Sequence, residues 1–169
     1  MFKKGTFIIY GTTGVCQVAD IGRVTSVPVA HPEKDYYTLT LLRTGGTIYI
    51  PVDTAQFMRP VMTPEEASRL IARIPHISES VCEVRDHRAL DSHYRASLQA
   101  HSCEELIRLI KSVYKKNRIM SARGKKPGRT DTEYKRKAET LLHEELSVAL
   151  GIPYDDVPQY IEREMSRTL

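Results

Sequence analysis

The residue types that hold metals or run catalysis are present in this chain but are not spaced for either task. Cys82, His87, His93 and Cys103 offer thiolate and imidazole ligands within one stretch, yet their intervals match no tight zinc pattern. The enzyme reading they leave is a metal-dependent nuclease. There is no phosphate-cradling G-x-x-x-x-G-K-[ST], no G-x-S-x-G elbow, no H-E-x-x-H helix and no close carboxylate pair set in apolar sequence. The expectation is therefore a protein that works by binding, without catalytic residues, metal or cofactor. The three cysteines, Cys16, Cys82 and Cys103, are odd in number and far apart, which argues against a disulfide framework and fits a reducing compartment.

Charge supplies the stronger signal. Of 25 Lys and Arg, 15 lie between Arg85 and Lys137 with only 6 of the 21 Asp and Glu, a local excess of nine positive charges. Residues 1–84 balance, and residues 138–169 hold 2 basic against 7 acidic residues. A cationic block without matching acids concentrates a polyanion, of which the nucleic-acid backbone is the commonest. The alternative is a solvated helical face, which an even spread of charge would favour.

The elements that must present this block follow from hydrophobic period. Up to Pro60 apolar residues alternate between turn signals, the mark of short strands: Phe7 to Tyr10, Val15 to Ile21, Tyr36 to Leu42 and Thr47 to Val52. Four or five such strands suggest a small, strongly bent sheet or barrel, whose edge can accept a partner's strand. From Thr63 the period becomes helical. Thr63, Pro64, Glu65 and Glu66 open a helix ending before Pro75. Asp86 to Gln99 forms a second, with Leu90, Tyr94 and Leu98 on one stripe.

A third helix follows Ser102, whose spacing to Glu105 is that of a capping box. Its buried stripe is Leu106, Leu109, Ile110 and Val113, which predicts an outward row of Arg108, Lys111, Lys115 and Arg118. A basic loop from Ser121 to Arg129 separates it from a fourth helix, entered through a second capping box at Thr130 and Glu133 and stopped at Gly151. A last helix starts at Pro153. The fold class is α+β, with residues 1–60 forming a strand-rich domain and residues 61–169 a helical one. No stretch approaches the about 20 apolar residues of a membrane span, and the start lacks a secretory core, so a cytoplasmic protein is expected, nucleoid-associated if the cationic block meets DNA.

Four segments, in order and spacing, resemble the CarD/CdnL family of bacterial transcription regulators, with its TRCF-like N-terminal domain. They are Phe2-Lys3-Lys4-Gly5-Thr6 to Tyr10 with Gly14-Val15, then Ile48-Tyr49-Ile50-Pro51-Val52, then Tyr94-Arg95-Ala96-Ser97-Leu98, then Ala138-Glu139 to Leu142 with Glu145-Leu146. The resemblance implies a Tudor-like or SH3-like N-terminal β-barrel that binds the RNA polymerase β subunit. It implies an all-α C-terminal domain on double-stranded promoter DNA at the upstream edge of the bubble. The β-subunit contact would run along Thr47, Ile48, Tyr49, Ile50, Pro51 and Val52, with Tyr49 standing where some relatives carry Arg. Some relatives wedge a Trp into the minor groove. This chain has none, and the matching position is Leu90, which is either a smaller apolar wedge or a core residue packed with Tyr94.

Arg88, His93 and Arg95 match DNA-contacting positions in relatives, and Lys111, Lys115, Lys116, Arg118, Lys125 and Lys126 complete the expected DNA surface. The rival binding class is a Tudor-type reader or a general nucleic-acid module that does not act on polymerase. The reader would use Tyr10, Tyr36, Tyr37 and Tyr49 as an aromatic surface for a cation.

Overall fold

The computed structural model describes residues 1–168; Leu169, the last residue of the expected helical domain, lies outside them. The chain divides into two compact units, Met1–Val61 and a second beginning at Met62.

The first unit is a five-stranded antiparallel sheet of β1 (Phe7–Tyr10), β2 (Gly14–Gly22), β3 (Tyr36–Leu41), β4 (Thr47–Pro51) and β5 (Met58–Pro60), in the order β4-β3-β2-β1-β5. Because β4 and β5 are its two edges, the sheet is open, and the expected barrel is corrected to an open sheet. The four strands read from alternation are all present; the fifth is too short for its period to be read. Its core gathers Ile8, Cys16, Val18, Tyr37 and Leu39, with Ile48, Ile50 and Val52 packed against them. These alternate positions share one face of the sheet. A register shift between Val18 and Asp20 bends the long strand β2, and Gly14, at φ 113°, supplies the turn that returns it along β1.

The second unit contains α1 (Pro64–Arg73), α2 (His87–Gln99), α3 (Cys103–Ala122), α4 (Arg129–Leu150) and α5 (Val157–Thr168). The capping box at α1 forms as read: Glu66 N–H donates to Thr63 Oγ1 at 3.1 Å and Thr63 N–H to Glu66 Oε2 at 2.8 Å. The two other capping boxes do not form. Ser102 precedes α3 without a side-chain bond, and Glu105 instead pairs with Arg108 one turn on. Helix α4 starts at Arg129, one residue before Thr130, because Thr130 is buried and its hydroxyl meets His87 Nδ1 at 3.0 Å. Its end is as read, with Gly151 left-handed at φ 67°. Beyond it, Tyr154–Asp156 form a 3-10 turn before α5.

Leu90, Tyr94, Leu106, Leu109, Val113, Tyr134, Leu142 and Leu146 are buried in the core of this unit. It also holds a carboxylate: Glu145, 2% exposed, accepts Met62 N–H at 3.1 Å and the Cys103 thiol at 3.1 Å. His143 on α4 lies edge-on to Tyr154, and burial lowers its pKa below the ordinary value while Glu139 opposes the shift. The unfolded chain then takes up this proton first as pH falls, so the contribution of His143 is complete above about pH 6.5 and is lost through its lower folded value. His143→Gln is expected to narrow the fall in melting temperature between neutral pH and pH 5. An unchanged fall would assign the acid sensitivity elsewhere.

Candidate polymerase-facing edge and nucleic-acid surface

The β4 edge is built by a hairpin from β3. Leu41 N–H donates to Gly46 O at 2.8 Å, and at the far end Val52 N–H donates to Asp35 O at 3.1 Å. Bonded pairs in an antiparallel ladder recur at every second residue, so in this register Tyr37–Ile50 and Leu39–Ile48 are bonded pairs. The backbone groups of Thr47, Tyr49 and Pro51 therefore point away from the sheet. Thr47 and Tyr49 offer both N–H and C=O, whereas Pro51 has no N–H and its C=O accepts Thr54 N–H at 3.0 Å. Ile48, Ile50 and Val52 turn their side chains to the core cluster instead. Beyond the strand, Lys34 Nζ meets Asp53 Oδ2 at 2.9 Å on the surface. That hydrogen bond holds the Asp53 carboxyl below its ordinary pKa and the Lys34 ammonium above its own.

The opposite edge is blunted. In β5, Gly11 N–H donates to Phe57 O and Val61 N–H to Phe7 O, which leaves Met58 and Pro60 facing outward. Pro60 has no N–H, so this three-residue edge offers one outward donor. A strand partner finds its longer template on β4.

The four tyrosines do not make an aromatic surface. Tyr36 and Tyr37 are 3% and 2% exposed and, as strand neighbours, face opposite sides. The Tyr36 hydroxyl accepts His31 N–H and the Tyr37 hydroxyl accepts Phe2 N–H, both at 3.1 Å.

The cationic block separates into structural and free charges. Arg108 donates to Ser78 O at 3.0 Å and pairs with Glu104 and Glu105. Lys111 donates to Ile74 O at 2.9 Å and Ile77 O at 2.5 Å, and lies 3.4 Å from Glu79. Both bind the segment after α1 to α3, so the expected outward row of four is corrected to two, Lys115 and Arg118, which are exposed. Lys116 turns inward to Asp131 at 3.0 Å, its side chain 17% exposed. Leu90 is 8% exposed and packs in the core, the second of the two roles open to it.

On α2, begun by the Asp86 cap on Ala89 N–H, Arg88 and His93 are exposed, and the His93 ring meets Tyr94 edge-on. Arg95 pairs with Asp91 at 2.5 Å. Asp91 also accepts the Tyr134 hydroxyl at 2.6 Å, a bond that lowers its pKa with help from Arg95. Lys125 and Lys126 are exposed in the loop between α3 and α4, where Gly124 at φ 70° lets Lys125 N–H return to Met120 O at 2.9 Å. Arg123 joins them there. Among the described residues Arg88, Lys115, Arg118, Arg123, Lys125 and Lys126 form no ion pair.

Sequence reading missed Tyr114, 57% exposed on α3 with the Arg118 guanidinium 5.9 Å from its ring. Its place four residues before Arg118 on the polar stripe was the available signal. Among the described residues no three His, Cys, Asp or Glu lie close enough to hold a metal. Of the constellation read from sequence, Cys103 turns to Glu145 and His87 to Thr130. No helix among them is long and apolar enough to cross a membrane.

Residues 2–62 match the family model of the CarD-like/TRCF RID domain. The match covers the strand-rich unit and ends where the helical unit begins, so what the comparison identifies is a CarD-like/TRCF RID domain in residues 2–62. None of the curated proteins matches the chain.

Proposed function

We propose that this CarD-like chain is a transcription regulator that holds the RNA polymerase β subunit through the β4 edge and promoter DNA through its cationic helical unit, stabilising the open complex. The RID-domain match over residues 2–62 carries the reading, since it marks a family of RNA polymerase-interacting transcription factors. The outward backbone groups of Thr47 and Tyr49 support a strand-type contact with the β subunit. Arg88, Lys115, Arg118, Lys125 and Lys126, exposed and without ion pairs among the described residues, support phosphate contacts. Such contacts position a duplex without reading its sequence.

The mechanism is differential binding. A protein that grips polymerase and the melting junction together favours the open state only by the difference in its affinity for open and closed complexes. Tethering to polymerase raises the effective concentration of DNA at the cationic surface, so weak intrinsic DNA affinity suffices. Binding alone accomplishes this, with no bond made or broken.

Lys125→Glu with Lys126→Glu tests the DNA arm, because neither side chain is used in the fold. Filter retention of a promoter duplex should weaken about tenfold or more at 0.1 M salt, and the slope of log affinity against log salt should fall by about two. Duplex binding by the native chain that is flat in salt would overturn the phosphate contacts.

A further inference from the structure

We infer that the groove between α3, α4 and α5 is a docking site for an amphipathic helix with an acidic flank, presented by a protein partner. The groove has a volume of about 950 Å³, and Ile110, Tyr114, Ile119 and Ala122 of α3 line it together with Met165 of α5. Tyr114 and Ile119 are 57% and 40% exposed. Two large side chains left in water within one apolar-floored concavity are the pattern of an interaction surface, since isolated exposed apolar residues need no such shape.

The lining charges select the occupant. Lys111 is already compensated by Glu79 at 3.4 Å and Lys135 by Glu139 at 3.3 Å. Among the described residues, Lys115 and Arg118 on the α3 wall have no carboxylate, while Glu162 on the α5 wall has no cation. A helix laid along the groove meets all three features: apolar residues at i, i+3, i+4 and i+7 on the floor, acids toward α3, and a basic or neutral flank toward α5. A nucleic-acid strand fits less well, because it would set phosphates against Glu162 and leave Ile119 and Met165 facing a polyanion. A duplex that uses Lys115 and Arg118 would compete with the helix for those two cations. The apolar floor serves the helix alone.

The test titrates the full chain with three fluorescein-labelled designed peptides followed by anisotropy. One has Leu and Ile at i, i+3, i+4 and i+7 with Glu on one flank, the second has Lys in place of each Glu, and the third scrambles the first. The acidic amphipathic peptide should bind at least tenfold tighter than the other two. Tyr114→Ala with Ile119→Ala, both exposed and expected to leave the melting temperature unchanged, should weaken it at least tenfold. Lys115→Glu with Arg118→Glu should do the same.

Equal affinity for the three peptides, no binding at all, or full affinity in the Tyr114→Ala, Ile119→Ala variant would overturn the inference. Duplex retention measured in parallel separates the readings. Unchanged retention in that variant with lost peptide binding supports a peptide groove. Lost retention with intact peptide binding overturns it and marks a nucleic-acid surface. Failure of the DNA reading leaves the peptide result standing.

Discussion

Asp131→Ala is expected to destabilise the helical unit by about 3 kcal/mol, the scale of breaking a buried charge pair from one side. Asp131 is 3% exposed. It accepts the Tyr94 hydroxyl at 2.5 Å and the Lys116 ammonium at 3.0 Å, so one carboxylate of α4 ties down α2 and α3 together. Without it, Lys116 keeps a buried charge with no counter-ion, and a fully buried phenol loses its acceptor. Burial and the neighbouring carboxylate hold the Tyr94 pKa well above its ordinary value, so the hydroxyl remains a donor at any pH the protein meets. Urea unfolding of the full chain, followed by helical circular dichroism, measures the loss. Lys116→Met combined with Asp131→Ala should lose less than Asp131→Ala alone, because it removes the orphaned charge. A single-variant loss below about 1 kcal/mol would show that water reaches the pair.

This network marks where sequence reading stopped. Lys116 stands between Lys115 and Arg118 in a run that reads as one cationic face, and local spacing cannot say which member turns inward. The partner that turns it, Asp131, lies on another helix, and such pairing is a tertiary fact. The same holds for Lys111, spent on the carbonyls of Ile74 and Ile77. Thr130 failed as a cap for a related reason: its hydroxyl found His87, 43 residues away. What could be read was local. The Thr63 cap and the Gly151 stop depend on residues within one turn, and all four strands long enough to show alternation appear where alternation placed them. Sheet closure was not legible, since it depends on whether two edge strands meet. The candidate polymerase edge was legible in position but not in polarity; which backbone groups of Thr47 to Val52 face outward follows only from the register with β3.

That polarity gives the other large expected effect. Tyr49→Pro should reduce binding of the full chain to the RNA polymerase β subunit by at least about thirtyfold, which is about 2 kcal/mol. Tyr49 N–H points away from β3, so its loss leaves the β3–β4 ladder intact, and proline is tolerated on an edge strand with that side to solvent. A pairing strand, however, would lose its central donor and meet the pyrrolidine ring. Ile50→Pro is the opposite case: its N–H belongs to the bonded pair with Tyr37, so that variant should lose sheet stability first and polymerase binding as a consequence. The comparison isolates the edge from the fold. Equal melting temperatures for the native chain and Tyr49→Pro, with lost β-subunit binding in the latter, is the result that a strand-added interface requires. If Tyr49→Pro binds as tightly as the native chain, the contact uses side-chain faces, and the proposed strand addition at β4 is wrong.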